Sequence, residues 1–156
     1  MNSTHRFAVD TSVPVERSKA QIRGYLAQAG ADGFADIEEK DRVIVGFTID
    51  GRKYITGFHP LPKDHEKFLR TPKGRDRKPV QALQLWEQDV RSRWRALLMI
   101  VKANCESVAL GMYAPEQAFG NNLVLGDDRT TVGEAVARAA IDGKLPKALP
   151  LLSFPK

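Results

Sequence analysis

Residues 90–102 read VRSRWRALLMIVK, with Arg91, Arg93 and Arg95 set around Trp94 and the apolar run Ala96–Val101 closed by Lys102. Either this is a core helix that carries charge, or it is a surface that holds an anion. From Val80 to about Leu110, apolar residues recur at Leu83, Trp86, Val90, Trp94, Leu97, Val101, Cys105 and Val108 in steps of three and four. That spacing predicts one amphipathic helix of about eight turns over residues 80–110. Pro79 suits its first turn, where a missing N–H costs nothing, and Gly111 is its stop. At about 100° per residue with Val90 as zero, the apolar set spans about 320° through 0° to 60°. Arg91, Arg95 and Lys102 fall at about 100°, 140° and 120°, so they form a cationic stripe beside the core stripe.

Upstream the period changes to two. Val43, Val45, Phe47 and Ile49 alternate with Ile44, Gly46 and Thr48, and Asp50-Gly51 offers a two-residue hairpin turn before a second β-rich run, Lys53 to Phe58. With Asp50 and Gly51 as the turn, Ile49 opposes Arg52, Phe47 opposes Tyr54 and Val43 opposes Phe58. Gly33 to Glu39 supplies a third strand through a turn at Lys40-Asp41. His59-Pro60-Leu61-Pro62 ends the sheet, because proline cannot donate to a ladder.

The remaining elements are short. Ser18 and Gln21 have the spacing of a capping box, followed by Ile22, Tyr25, Leu26 and Ala29 on one helical face and Gly30 as a stop. A helical turn is expected at Glu66 to Leu69, a strand near Arg6 to Val9, a helix at Pro115 to Phe119 and an extended piece at Asn122 to Leu125. Gly126-Asp127-Asp128 reads as a turn. Thr131 and Glu134 form a second capping box, opening a helix that Gly143 stops. The expected fold is α+β: a three-stranded antiparallel sheet packed against helices, one of them long. Residues 1–156 read as a single domain, with 144–156 a proline-rich tail carrying Leu149, Leu151, Leu152 and Phe154.

At 156 residues, 42% hydrophobic and 28% charged, the chain has the composition of a folded globular protein rather than a disordered one. Its one cysteine, Cys105, permits neither an intrachain disulfide nor a thiolate zinc cluster. No apolar run approaches the roughly 20 residues needed to span a bilayer, and no signal-like apolar region stands near Met1. A cytoplasmic protein without a membrane partner is expected. The net charge is +5, and it is unevenly placed. Lys63 to Lys102 contains 11 basic and five acidic residues, so the rest of the chain is slightly acidic.

The charge map is informative because catalytic patterns are missing. His5, His59 and His65 lack metal-ligand spacing, and Pro60 and Pro62 forbid a helix between the last two. Cys105 lies in the apolar stripe and reads as core. No phosphate-binding glycine motif occurs, Gly74 stands alone, and Asp127-Asp128 is more simply a turn than a metal pair. Trp86 and Trp94 fit the core stripe better than a base-stacking platform. No enzyme activity, metal or cofactor is expected.

What stands out is RTPKGRDRKP (70–79), a polar loop in which Arg70, Lys73, Arg75, Arg77 and Lys78 suit phosphate oxygens. Together with Arg91, Arg95 and Lys102, which span about 16 Å of helix, they make a candidate site for nucleic acid or another phosphate-bearing ligand. The competing reading is a solvated helix face whose arginines pair with Glu87, Gln88 or other acidic neighbours.

The run FLRTPKGRDRKPVQALQLWEQDVRSRWRALLMIVKANCESVALG, followed by PEQAF, DDRTTVGEAV and GKLPKALP, resembles a family of small uncharacterised proteins of bacteriophages and prophages. In that family a G-R-x-R loop precedes a W-E-Q-x-x-R-x-R-W-R-A-L helix. ERSKAQIRGYLAQAGA and the meander also fit, so the likeness runs from about Val13 to Leu149. It implies a phage or prophage setting in a bacterial cytoplasm, without assigning an activity. KANCES (102–107) departs from the K-A-K-L-E of the pattern and lacks one basic position. Two functions follow as expectations: a non-enzymatic accessory protein that binds DNA or RNA in replication, recombination or repair, or a counter-defence protein. The latter would either inhibit a host immune complex, in the manner of an anti-CRISPR, or sequester a nucleotide signal.

Overall fold

The computed structural model describes residues 11–126 and 129–144. The expected strand at Arg6 to Val9, His5, Asp127-Asp128 and the tail from Leu145 onward lie outside them. In chain order come α1 (Val15–Gln28), β1 (Ala31–Glu38), β2 (Val43–Ile49), β3 (Arg52–Phe58), α2 (Glu66–Leu69), α3 (Pro79–Ala109), α4 (Pro115–Ala118), a 3-10 turn (Gly120–Asn122), β4 (Val124–Leu125), β5 (Thr130–Thr131) and α5 (Val132–Ile141). This is an α+β fold.

The sheet is antiparallel in the order β1-β2-β3. Turn chemistry sets its central register: Asp50 at φ 50° and Gly51 at φ 73° give the two left-handed residues that a tight hairpin requires. Val43 then faces Phe58, Phe47 faces Tyr54 and Ile49 faces Arg52, as the alternation predicts. The Phe47 and Tyr54 rings stack at 5.3 Å, and Phe119 meets Phe47 edge-on at 5.1 Å. β1 starts two residues earlier than expected, at Ala31, with an irregularity between Ala31 and Gly33. The open edge of β3 is partly covered, as Leu123 bridges Tyr54 and the Asn122 amide donates to the Ile55 carbonyl at 3.0 Å.

One face of the sheet packs on α1 and α3. Val43, Val45, Phe47, Ile49 and Tyr54 meet Ile22 and Leu26 from α1, and Trp94, Leu97, Leu98, Val101 and Cys105 from α3. Leu98, at about 80° on the wheel, joins this core although it stands outside the predicted stripe. Leu83 is instead 46% exposed, and Trp86 and Val90 are only partly buried. The first turns of α3 therefore lie outside the main core cluster, and the buried face of the helix turns toward Leu98. Burial pushes the Cys105 thiol up to about 11, with Glu106 adding to the shift, so it is a protonated core group at neutral pH.

The first capping box did not form as read. Helix α1 begins at Val15 behind Pro14, whose carbonyl accepts from the N–H groups of Arg17 and Ser18. Ser18 is consequently inside the helix, fully buried, and its hydroxyl has no hydrogen-bond partner among the described residues. The proline opened the helix one turn earlier, and packing turned Ser18 inward. The second box did form: Thr131 Oγ1 accepts from the Glu134 N–H at 3.2 Å, and the Glu134 carboxylate accepts from the Thr131 N–H at 2.9 Å.

Candidate nucleic-acid interface

The basic loop follows the single turn of α2, whose first N–H groups are capped by His65: its Nδ1 accepts from the Lys67 N–H at 3.1 Å. The loop is tightly built. Arg70 and Asp76 form an antiparallel bridge, Thr71 N–H donates to the Arg75 carbonyl at 2.8 Å, and Gly74 N–H returns to the Thr71 carbonyl at 2.8 Å with φ 75°. Thr71 Oγ1 accepts from the Arg75 N–H at 3.0 Å. Arg77 holds the base of the loop, donating from Nη1 to the carbonyls of Lys67 at 3.2 Å, Phe68 at 3.5 Å and Arg70.

The five loop cations therefore differ. Lys73, Arg75 and Lys78 are exposed. Arg70 is exposed as well but contacts Glu66 at 3.4 Å and Asp76 at 3.8 Å. Arg77 braces the backbone, a use that spacing alone does not reveal.

The helical stripe faces elsewhere. Arg91 donates to Gln88 Oε1 at 2.7 Å and stands 4.0 Å from Glu87. Arg95 donates to Gln21 Oε1 of α1 at 2.8 Å, and the Lys102 ammonium lies 5.4 Å from the centroid of the Tyr25 ring. Arg95 and Lys102 thus reach across to α1, whereas Arg91 is held by its own helix. Arg91 fits the competing reading, pairing with Gln88 and Glu87, whereas the partners of Arg95 and Lys102 are uncharged and leave their charge in place.

Beside the loop lies an open groove of about 1110 Å³. Its walls are α2 and the loop, including Arg70 and Arg77, and its floor is the α3 face carrying Leu85, Gln88, Ser92 and Ala96. The α3 residues of the groove occupy about 160–300° on the wheel, away from the stripe at about 100–140°. Gln88 borders both surfaces. Groove and stripe thus occupy different sides of α3 and meet at Gln88.

Charges missed in the sequence reading cluster at the groove. Asp89 Oδ2 accepts from Arg93 Nε at 2.6 Å, Lys67 contacts the same carboxylate, and Arg93 Nη1 reaches the His59 carbonyl at 3.2 Å. Burial alone would raise the Asp89 carboxyl, but its bonds to Lys67 and Arg93 outweigh that effect and hold it below its ordinary value. The Asp89–Arg93 spacing of i, i+4 was a visible signal, whereas Lys67 was not. A second cluster escaped notice: Lys19 joins Asp36 at 3.0 Å and Glu38 at 2.7 Å and sits 5.1 Å from the Trp94 centroid. Trp86 donates to the Leu61 carbonyl at 2.9 Å beneath Lys63, and Trp94 is buried.

Exposed cations on a braced loop thus stand beside a groove. No protein family, curated protein or solved structure compared with this chain matches it. Among the described residues no group of three or more His, Cys, Asp or Glu side chains is arranged to hold a metal ion, and no helix is long and apolar enough to cross a membrane. His59 Nδ1 lies 2.8 Å from the Asp41 carbonyl.

Proposed function

We propose that the protein is a non-enzymatic accessory protein of phage or prophage origin that binds nucleic acid in replication, recombination or repair. The contact is made through the loop 70–78. One observation carries this reading: Arg70, Lys73, Arg75 and Lys78 are displayed on a loop whose own hydrogen bonds hold its shape, so ordering it on a phosphate backbone costs little entropy. Arg91, Arg95 and Lys102, engaged with Gln88, Gln21 and Tyr25, leave the core of the proposed interface and become its periphery. Cytoplasmic action in a bacterial host follows from the sequence resemblance and is part of the proposal.

The test is titration of labelled oligonucleotides at several salt concentrations. Neutralisation of phosphates requires log K to fall against log salt by roughly 0.7–0.9 for each phosphate contacted. Absence of binding at low salt ends the proposal.

A second reading, counter-defence by sequestering a nucleotide signal, is favoured by the concavity of the groove and by Leu85 and Ala96 on its floor. A tight nucleotide at 100 times its Kd adds about 2.7 kcal/mol to stability. Unchanged melting curves across a panel of cyclic nucleotides count against it.

A further inference from the structure

The groove and the loop have different chemistry, and the difference bears on the form of nucleic acid. A ligand bound only through its backbone has no need of an apolar floor. Here the floor, shared with Gln88, Asp89, Ser92 and Arg93, presents Leu85, 39% exposed, and exposed Ala96, while Pro72 and the ring of His65 also line the groove. The His65 ring is held in place: it meets Phe68 edge-on at 6.2 Å, and its Nδ1 is tied to the Lys67 N–H. An apolar recess with a fixed aromatic ring suits the faces of unpaired bases, which a duplex keeps stacked inside itself.

The charges are compatible with that occupant. Among the residues that line the groove, Lys67, Arg70, Arg77 and Arg93 outnumber Glu66 and Asp89. Each carboxylate already has a cation, Glu66 with Arg70 at 3.4 Å and Asp89 with Arg93 at 2.6 Å, so neither stands bare before a phosphate. Lys73, Arg75 and Lys78 continue the positive surface along the loop beyond the groove.

We infer that the groove between α2, the 70–78 loop and α3 receives unpaired bases of single-stranded DNA or RNA whose backbone crosses the loop. The inference rests on the loop being a phosphate-contacting surface, and it names the ligand class for that surface.

Fluorescence anisotropy with the full chain tests it, using labelled oligonucleotides of about 12 nucleotides as single-stranded DNA, single-stranded RNA and duplex DNA, with inorganic polyphosphate as competitor. Single strands bind at least about tenfold more tightly than the duplex, the scale expected from stacking of one base. Ala96→Gln narrows the floor without adding charge, and His65→Asn removes the ring while keeping a cap acceptor for the Lys67 N–H. Each lowers single-strand affinity by about tenfold and leaves the inhibition constant of polyphosphate unchanged. Matching melting curves establish that the variants fold, and either one suffices if the other does not. Equal affinity for single strands and duplex, or unchanged single-strand affinity in the folded groove variants, overturns the inference while the loop reading stands. Failure of every polyanion to bind overturns both. Stabilisation by mononucleotides with no gain from oligonucleotides overturns this inference in favour of nucleotide sequestration.

Discussion

Arg95 Nη1 donates to Gln21 Oε1 at 2.8 Å, joining the middle of α3 to α1 across 74 residues of sequence. This contact changes the meaning of the cationic stripe: a residue that reads as a phosphate ligand is a tie between two helices. Arg95→Ala and Lys102→Ala are therefore expected to change oligonucleotide affinity by less than about twofold. Lys73→Ala and Arg75→Ala each lower it and reduce the slope of log K against log salt by about 0.7–0.9. Salt titration of the four variants checks the contrast, and a large effect at Arg95 would place that residue back in the interface.

Arg77 makes the opposite contribution from the exposed loop cations. Its Nη1 meets the carbonyls of Lys67, Phe68 and Arg70, a role that depends on a planar guanidinium. Arg77→Lys leaves the net charge unchanged but loses that geometry. We expect a loss of about 1–3 kcal/mol in stability, measured by urea unfolding, and faster tryptic cleavage within the loop. Unchanged cleavage would mean that the loop's own turn hydrogen bonds suffice.

Acid should loosen the molecule at two places. Asp89 is held below its ordinary value because its bonds to Lys67 and Arg93 outweigh the opposing effect of burial. Glu134 is held low chiefly by the Thr131 N–H, with further help from the Thr131 hydroxyl and Arg42 against burial. A carboxyl whose folded pKa is depressed contributes stability that is complete above its unfolded pKa and lost as pH falls through the folded one. The stability–pH curve is therefore expected to be flat near neutrality and to fall below about pH 4. Asp89→Asn and Glu134→Gln should each make the acid limb shallower in thermal melts taken from pH 7 to pH 2.

Gly57 of β3 lies opposite Ile44 of β2. A Cβ built there lies 1.9 Å from the Val43 carbonyl oxygen, and the residue has φ 156°. That oxygen belongs to the sheet backbone, so it cannot step aside as a side-chain end could. Gly57→Ala is expected to cost about 3 kcal/mol or more, read as a lower urea midpoint. Gly24→Ala, on α1 with nothing within 4 Å of its Cβ, serves as the tolerated comparison.

Legibility followed interaction range. The Phe47–Tyr54 register could be read because Asp50 and Gly51 favour a two-residue turn and the strands alternate around it. The span of α3 could be read because its apolar period persists from Leu83 to Val108 between Pro79 and Gly111. Ser18 misled because a serine three residues before a glutamine is a local pattern, whereas Pro14 and the packing of α1 decided where the helix began and which way Ser18 faced.

By itself, the sequence determined the three strands of the main sheet and the principal helices, the central hairpin register, the α+β class and the concentration of positive charge between Lys63 and Lys102, but not the short β5 or the 3-10 turn at Gly120–Asn122. These depend on turn conformation, side-chain period and composition, which act over a few residues. Only the tertiary structure decided the fate of each cation. Burying one face of α3 against α1 and the sheet brought Arg95 to Gln21 and Lys102 to Tyr25, while α2 folding beside another face of α3 left Lys73, Arg75 and Lys78 exposed beside a groove. A side chain's partner is set by which distant element packs beside it, and no spacing along the chain encodes that neighbour.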